Sequence, residues 1–106
     1  MIYELRQYEI KAGRMADCHR LFREVALPVF AEVGIETLGF WEALDEEARS
    51  FVYLLAFADA AGRERGWADF LAHPRWLAEK ASWQDGPPYA WTRGTLLAPT
   101  DYSPLG

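Results

Sequence analysis

Ser50 to Ala58 is the segment that most restricts what this chain can fold into. On an extended backbone Phe51, Tyr53, Leu55 and Phe57 share one side, and Val52, Leu54, Ala56 and Ala58 share the other. Both sides are apolar. A strand of this kind belongs inside a sheet that is covered on both faces, because each exposed Å² of apolar surface costs about 25 cal/mol. Met1–Ile10 has the same two-sided character. Tyr3 and Leu5 point one way, and Ile2, Arg6, Tyr8 and Ile10 the other. Tyr3, Arg6 and Tyr8 read first as architecture.

The remaining segments supply a cover for one face. After Gly13, apolar residues fall at Met15, Cys18, Phe22, Val25, Val29 and Val33, in alternating steps of three and four that predict an amphipathic helix. Pro28 lies inside it and removes a backbone donor, so a kink or early stop is expected there. Residues 35–44 alternate as a strand. Asp45-Glu46-Glu47-Ala48-Arg49 reads as the polar hairpin turn leading into the strand at 50–58. Asp59 is the natural N-cap of a helix over Ala60–Ala72, with Trp67, Phe70 and Leu71 on one side. Pro74 suits the first turn of a short further helix carrying Trp76 and Trp83, and Asp85-Gly86-Pro87-Pro88 ends it. A last strand runs over Tyr89–Leu97.

Strand, helix, strand, strand, helix, strand is the split βαβ order, an α+β arrangement with both helices on one face of an antiparallel sheet. The other face then needs a partner. A homodimer in which two sheets close face to face meets that need without further chain. With 106 residues the chain makes a single domain over 1–106. No run of about 18 apolar residues could span a bilayer. A strand beginning at Met1 leaves no room for a targeting segment, which predicts a cytoplasmic protein. The net charge of −5 and the lack of a basic stripe argue against nucleic acid as a partner.

Particular residues go further than periodicity. Met1-Ile2-Tyr3-Glu4-Leu5-Arg6-Gln7-Tyr8, Lys11-Ala12-Gly13-Arg14-Met15, Gly39-Phe40-Trp41, Arg63-Glu64-Arg65, Pro74-Arg75-Trp76, Leu97-Ala98-Pro99-Thr100 and Ser103-Pro104 occur in this order along the chain. Together they resemble the NIPSNAP family of the dimeric α/β-barrel superfamily. The resemblance implies a ferredoxin-like βαββαβ protomer and a barrel-forming homodimer. It hands over no single reaction, since related barrels include cofactor-free monooxygenases, isomerases, dehydratases and haem enzymes. Two positions depart from the family pattern. Tyr53, Leu55 and Phe57 stand where the family tends to carry His, Trp and Tyr, and His73 replaces the usual Asp before Pro74 as a poorer helix cap.

Each residue that could carry chemistry also has a structural reading. His19 falls inside the apolar arc of the first helix, where an imidazole could face a helix–sheet cleft and move a proton, or reach water at the arc's edge. Tyr53 could donate a hydrogen bond to a ligand oxygen, or be core. Arg63 sits on the apolar side of its helix. It could hold a carboxylate or enolate, stack on Trp67, or pair with an acid from the sheet. Trp41 and Trp67 could wall a cleft. Arg93, between Trp91 and Thr95, could anchor an anion or pair with Glu4, Glu36 or Glu42. Cys18 lies on the apolar helix face and reads as inert core. Two histidines, His19 and His73, without HxxxH spacing support neither a metal nor haem, and His73 reads as exposed. No GxGxxG, P-loop or GxSxG occurs, so no cofactor is expected. The preferred expectation is a cleft that binds or converts a small apolar or aromatic ligand. An enzyme would be a cofactor-independent monooxygenase, isomerase or dehydratase; the alternative is a non-catalytic binding or assembly module with a filled core.

Overall fold

The computed structural model describes residues 1–45 and 47–105. Glu46, in the expected hairpin turn, and Gly106, at the end of the expected domain, lie outside the described residues. Strand β1 (Ile2–Ile10) is followed by helix α1 (Met15–Leu21), a π-helical turn (Phe22–Ala26) and helix α2 (Leu27–Val33). Strands β2 (Glu36–Glu42) and β3 (Ser50–Phe57) follow. Helices α3 (Ala60–Ala72) and α4 (Pro74–Ser82) lead to β4 (Tyr89–Leu97). The sheet order is β2-β3-β1-β4, with every neighbouring pair antiparallel. This is the ferredoxin-like arrangement, an open four-stranded sheet with the helices on one face.

Register assigns every side chain to a face. Glu4 pairs with Leu55, Arg6 with Tyr53 and Tyr8 with Phe51, and these six side chains point at the helices. Leu5 opposite Leu54 and Gln7 opposite Val52 point away. The helix face packs one aromatic core: Tyr53 stacks on Phe40 at 5.1 Å between ring centres, and Phe30 on Phe70 at 4.8 Å. Leu55 is wholly buried in it, a placement that contributes about 1.5–3 kcal/mol.

Pro28 does not stop the helix. Helical structure continues from Met15 to Val33 through one widened turn, with Leu27 N–H donating to the carbonyl of Phe22, five residues back. In a regular helix the N–H of residue 28 would serve the carbonyl of Glu24, and proline has none to offer. Arg75 Nη2 donates to that carbonyl at 2.6 Å instead, tying α4 to the first helical stretch. Gly34, at φ 81°, then ends α2 in the left-handed conformation that glycine adopts without steric cost.

Asp59 caps α3 as expected, accepting from Gly62 N–H at 2.7 Å. His73 is a working cap and not an exposed side chain. Its Nδ1 accepts from Arg75 N–H at 3.0 Å, its Nε2 meets Glu32 Oε2 at 2.5 Å, and the residue is half-buried. The C-terminal tail also has a docking point, because Tyr3 Oη donates to the Leu105 carbonyl at 2.8 Å.

Candidate functional site

The helix face of β1 carries a buried polar cluster that the alternation of the strand puts in one column. Glu4 is 0% exposed. Its Oε1 accepts from Arg63 Nε at 2.8 Å and Trp67 Nε1 at 2.9 Å, and its Oε2 from Arg6 Nη1 at 3.3 Å. Burial raises the carboxyl's pKa, but the hydrogen bonds from Arg63 and Trp67 and the charges of Arg63 and Arg6 more than offset that. The result is a pKa below the ordinary carboxylate value. Arg6 lies over the rings of Trp67 and Tyr8, 5.4 and 5.7 Å from their centres. Gly94, opposite Arg6 on β4, makes room for this. A Cβ there would stand 2.5 Å from Arg6 Nη1 and 2.7 Å from Glu4 Oε2.

Beside the cluster lies a cavity of about 150 Å³ between helices and sheet. Its lining includes Arg6, Tyr8, Tyr53, Trp67 and Trp76, among walls such as Phe22 and Phe30. Tyr8 Oη and Tyr53 Oη are 3.0 Å apart and share one proton between them, leaving the second for another acceptor. Burial, reinforced by Tyr8, pushes the Tyr53 hydroxyl well above the ordinary tyrosine range, and burial pushes Tyr89 up to about 12. These hydroxyls are donors near neutral pH.

The sheet divides the expected site residues. Tyr53 and Trp67 line the cavity, and Arg63 stands behind it with its guanidinium committed to Glu4. The sheet acid is thus the partner of Arg63, while the Trp67 ring carries Arg6. Trp41 pairs with Val52 and Arg93 with Gln7, so both belong to the opposite face. Arg93 cannot meet Glu4, which points the other way, and among the described residues it makes no ion pair with Glu36 or Glu42. His19 sits at a rim. Its Nε2 meets Glu42 Oε1 at 2.6 Å, and it borders a separate shallow groove with Phe40 and Phe51. Cys18 is wholly buried, and burial, together with the charge of Glu42, pushes its thiol up to about 12. Among the described residues no three His, Cys, Asp or Glu side chains gather as a metal site.

Comparisons follow the same outline. The NIPSNAP family profile matches residues 3–104. The chain belongs to the NIPSNAP family. It is similar in structure to a NIPSNAP family protein from Agrobacterium tumefaciens, with TM-score 0.86 and 23% identity over 99% of this chain and 98% of the other. A NIPSNAP domain protein from Burkholderia xenovorans gives 0.82 and 23%, covering 98% and 99%. A putative antibiotic biosynthesis monooxygenase from Deinococcus radiodurans shares the fold at 0.64 and 15%, covering 95% and 94%. No curated protein matches. At these identities the likeness establishes the fold alone.

Four residues of the site escape sequence reasoning in a functional role: Glu4, Arg6, Tyr8 and Trp76. The signal for the first three is the period of two in β1, which puts a carboxylate, a guanidinium and a phenol on one buried side. Trp76 carries no comparable signal, since a helical tryptophan reads equally as core.

Proposed function

We propose that this NIPSNAP protein is a single-domain, cytoplasmic homodimer that binds a compact, largely apolar ligand in the cavity between helices and sheet. The observation that carries the reading is an aromatic-walled cavity of about 150 Å³ with a cation and protonated hydroxyls on its wall. A space of that size suits a one-ring molecule. A filled core would favour the assembly module instead. The dimer is supported by the opposite face, where Trp41, Trp91 and Leu97 are exposed and Val52 and Leu54 only half-covered. Closing two such faces removes both from water. No described helix is long and apolar enough to cross a membrane, and the lone Cys18 forms no intrachain disulfide.

If the bound molecule is converted, the chemistry these residues suit is stabilisation of negative charge developing on a substrate oxygen, as in cofactor-free isomerisation, dehydration or oxygenation. Arg6 takes the charge-holding role expected of Arg63 or Arg93. Tyr53 supplies the proton, Trp67 excludes water, and His19 at its rim would act only on a group reaching outward.

Native mass spectrometry of freshly purified protein tests the proposal. The expected spectrum shows twice the chain mass, with a retained or added one-ring compound bound. A monomer at micromolar concentration would remove the dimer, and failure of every one-ring probe to bind would remove the cavity.

A further inference from the structure

The ligand class can be narrowed from what the cavity wall offers and lacks, a step that rests on the cavity being a ligand site. Its lining contains no Asp, Glu, His, Asn or Gln. The polar side chains among its lining residues are Arg6, Trp67, Trp76, Tyr8, Tyr53, Tyr89 and Thr92. Trp67 N–H is already given to Glu4. Two other donors are given to nothing: Arg6 Nε and Trp76 Nε1 are both buried without a hydrogen-bond partner. Trp76 is 8% exposed, so water is largely shut away from it. A buried unpaired donor costs about 1–3 kcal/mol, and both of these belong to side chains that line the cavity.

Charge points the same way. Glu4 is one carboxylate between two guanidinium groups, Arg63 and Arg6. One positive charge is left uncompensated there, and Arg6 is the member of the trio that borders the cavity as well. The raised Tyr53 and Tyr89 hydroxyls cannot neutralise it near pH 7. A bound anion can.

We propose that the cavity takes the anion of a one-ring aryl acid, with its carboxylate at Arg6 and a second oxygen acceptor at Trp76. The cluster behind it fixes the orientation. Glu4 and the Trp67 ring hold the Arg6 side chain in place, so its guanidinium meets a ligand without having to be ordered on binding. The rings of Phe22 and Phe30 meet the aryl face, which explains why a cationic site is built among aromatics. An alkyl acid would use the charge and waste the walls. A neutral arene would use the walls and leave both donors bare.

Calorimetric titration with three near-isosteres tests this: benzamide, benzoate and 4-hydroxybenzoate. Benzoate is expected to bind at least about tenfold more tightly than benzamide, since a hydrogen bond to a charged partner in a dry site contributes that much. 4-Hydroxybenzoate should gain a further several-fold. Trp76→Phe should erase the second gain, whereas Arg6→Gln should bring benzoate down to the benzamide level. Equal affinity for benzamide and benzoate in the wild-type protein overturns the anion assignment while leaving the cavity as a ligand site. A hydroxyl advantage that survives Trp76→Phe overturns the second contact. If none of the three binds, the cavity reading and this inference fall together. The wild-type series still separates these outcomes if Arg6→Gln does not fold.

Discussion

The two faces of the sheet are made by the same strands, yet they treat polar and apolar groups in opposite ways. On the helix face, β1 buries Glu4 completely and gives each carboxylate oxygen a donor. On the open face, one residue along, Leu5 and Leu54 sit half-covered while Trp41 and Trp91 are each 53% exposed. Charge is hidden and hydrophobic surface is shown. Hidden charge is tolerated only where partners are at hand, and on the helix face the Glu4 carboxylate has its full set. Exposed apolar surface of this extent costs free energy in a lone chain, and the proposed second copy would cover it.

Removing Glu4 breaks the contrast most severely. Glu4→Ala leaves Arg6 and the Trp67 N–H without their acceptor in a closed site, and is expected to cost about 3 kcal/mol in urea unfolding. The same residue gives a pH signature. Its folded pKa lies below the unfolded value of 4.5, so its contribution is fully present above that pH and is lost as pH falls through the folded value. Wild-type stability should therefore drop below pH 4.5 more steeply than that of Glu4→Gln. Parallel curves would show that Glu4 is not held ionised by its arginines.

The open face responds to the reverse change. Leu54→Glu places a charge at the centre of the expected seam and should weaken self-association by about a hundredfold, roughly 2.7 kcal/mol, in sedimentation at micromolar concentration. The protomer should keep its helical circular dichroism. A variant that stays dimeric would put the seam elsewhere.

Adjacent residues of β4 give the finest version of the comparison. Gly94→Ala pushes a methyl group against Arg6 and Glu4, and is expected to cost about 1–2 kcal/mol and to weaken aryl-acid binding. Arg93→Ala, on the other face, should leave the unfolding midpoint and ligand affinity unchanged. If the two variants behave alike, the sheet does not separate site from seam as its register says.

Much of the fold can be read in the chain because it depends on local rules: alternation in β1 and β3, three-four spacing from Met15 to Val33, Asp59 as a cap. Pro28 is where those rules fail. The rescue comes from Arg75, on a helix that lies beyond two strands and a further helix in the chain, and no local rule reaches that far. The candidate site is half legible. Tyr53 and Trp67 stand out because aromatics on a buried face are conspicuous. Trp41 and Arg93 look equivalent to them because residue type says nothing about side of sheet, which only register decides. Arg6 reads as architecture because it shares one side of the first strand with Ile2, Tyr8 and Ile10. What gives it another role is a glycine opposite and a carboxylate two residues before it.

The bond from Arg75 to the carbonyl of Glu24 has a consequence for how this chain can drift. The acceptor belongs to the main chain, so position 24 can exchange one side chain for another while α4 keeps its anchor. Positions 28 and 75 are not free in that way. A chain that loses the arginine leaves that exposed carbonyl to water alone unless it also loses the proline, whose replacement would restore the missing N–H. Among descendants of this sequence, residues 28 and 75 are therefore expected to change as a pair, although neither side chain needs to touch the other.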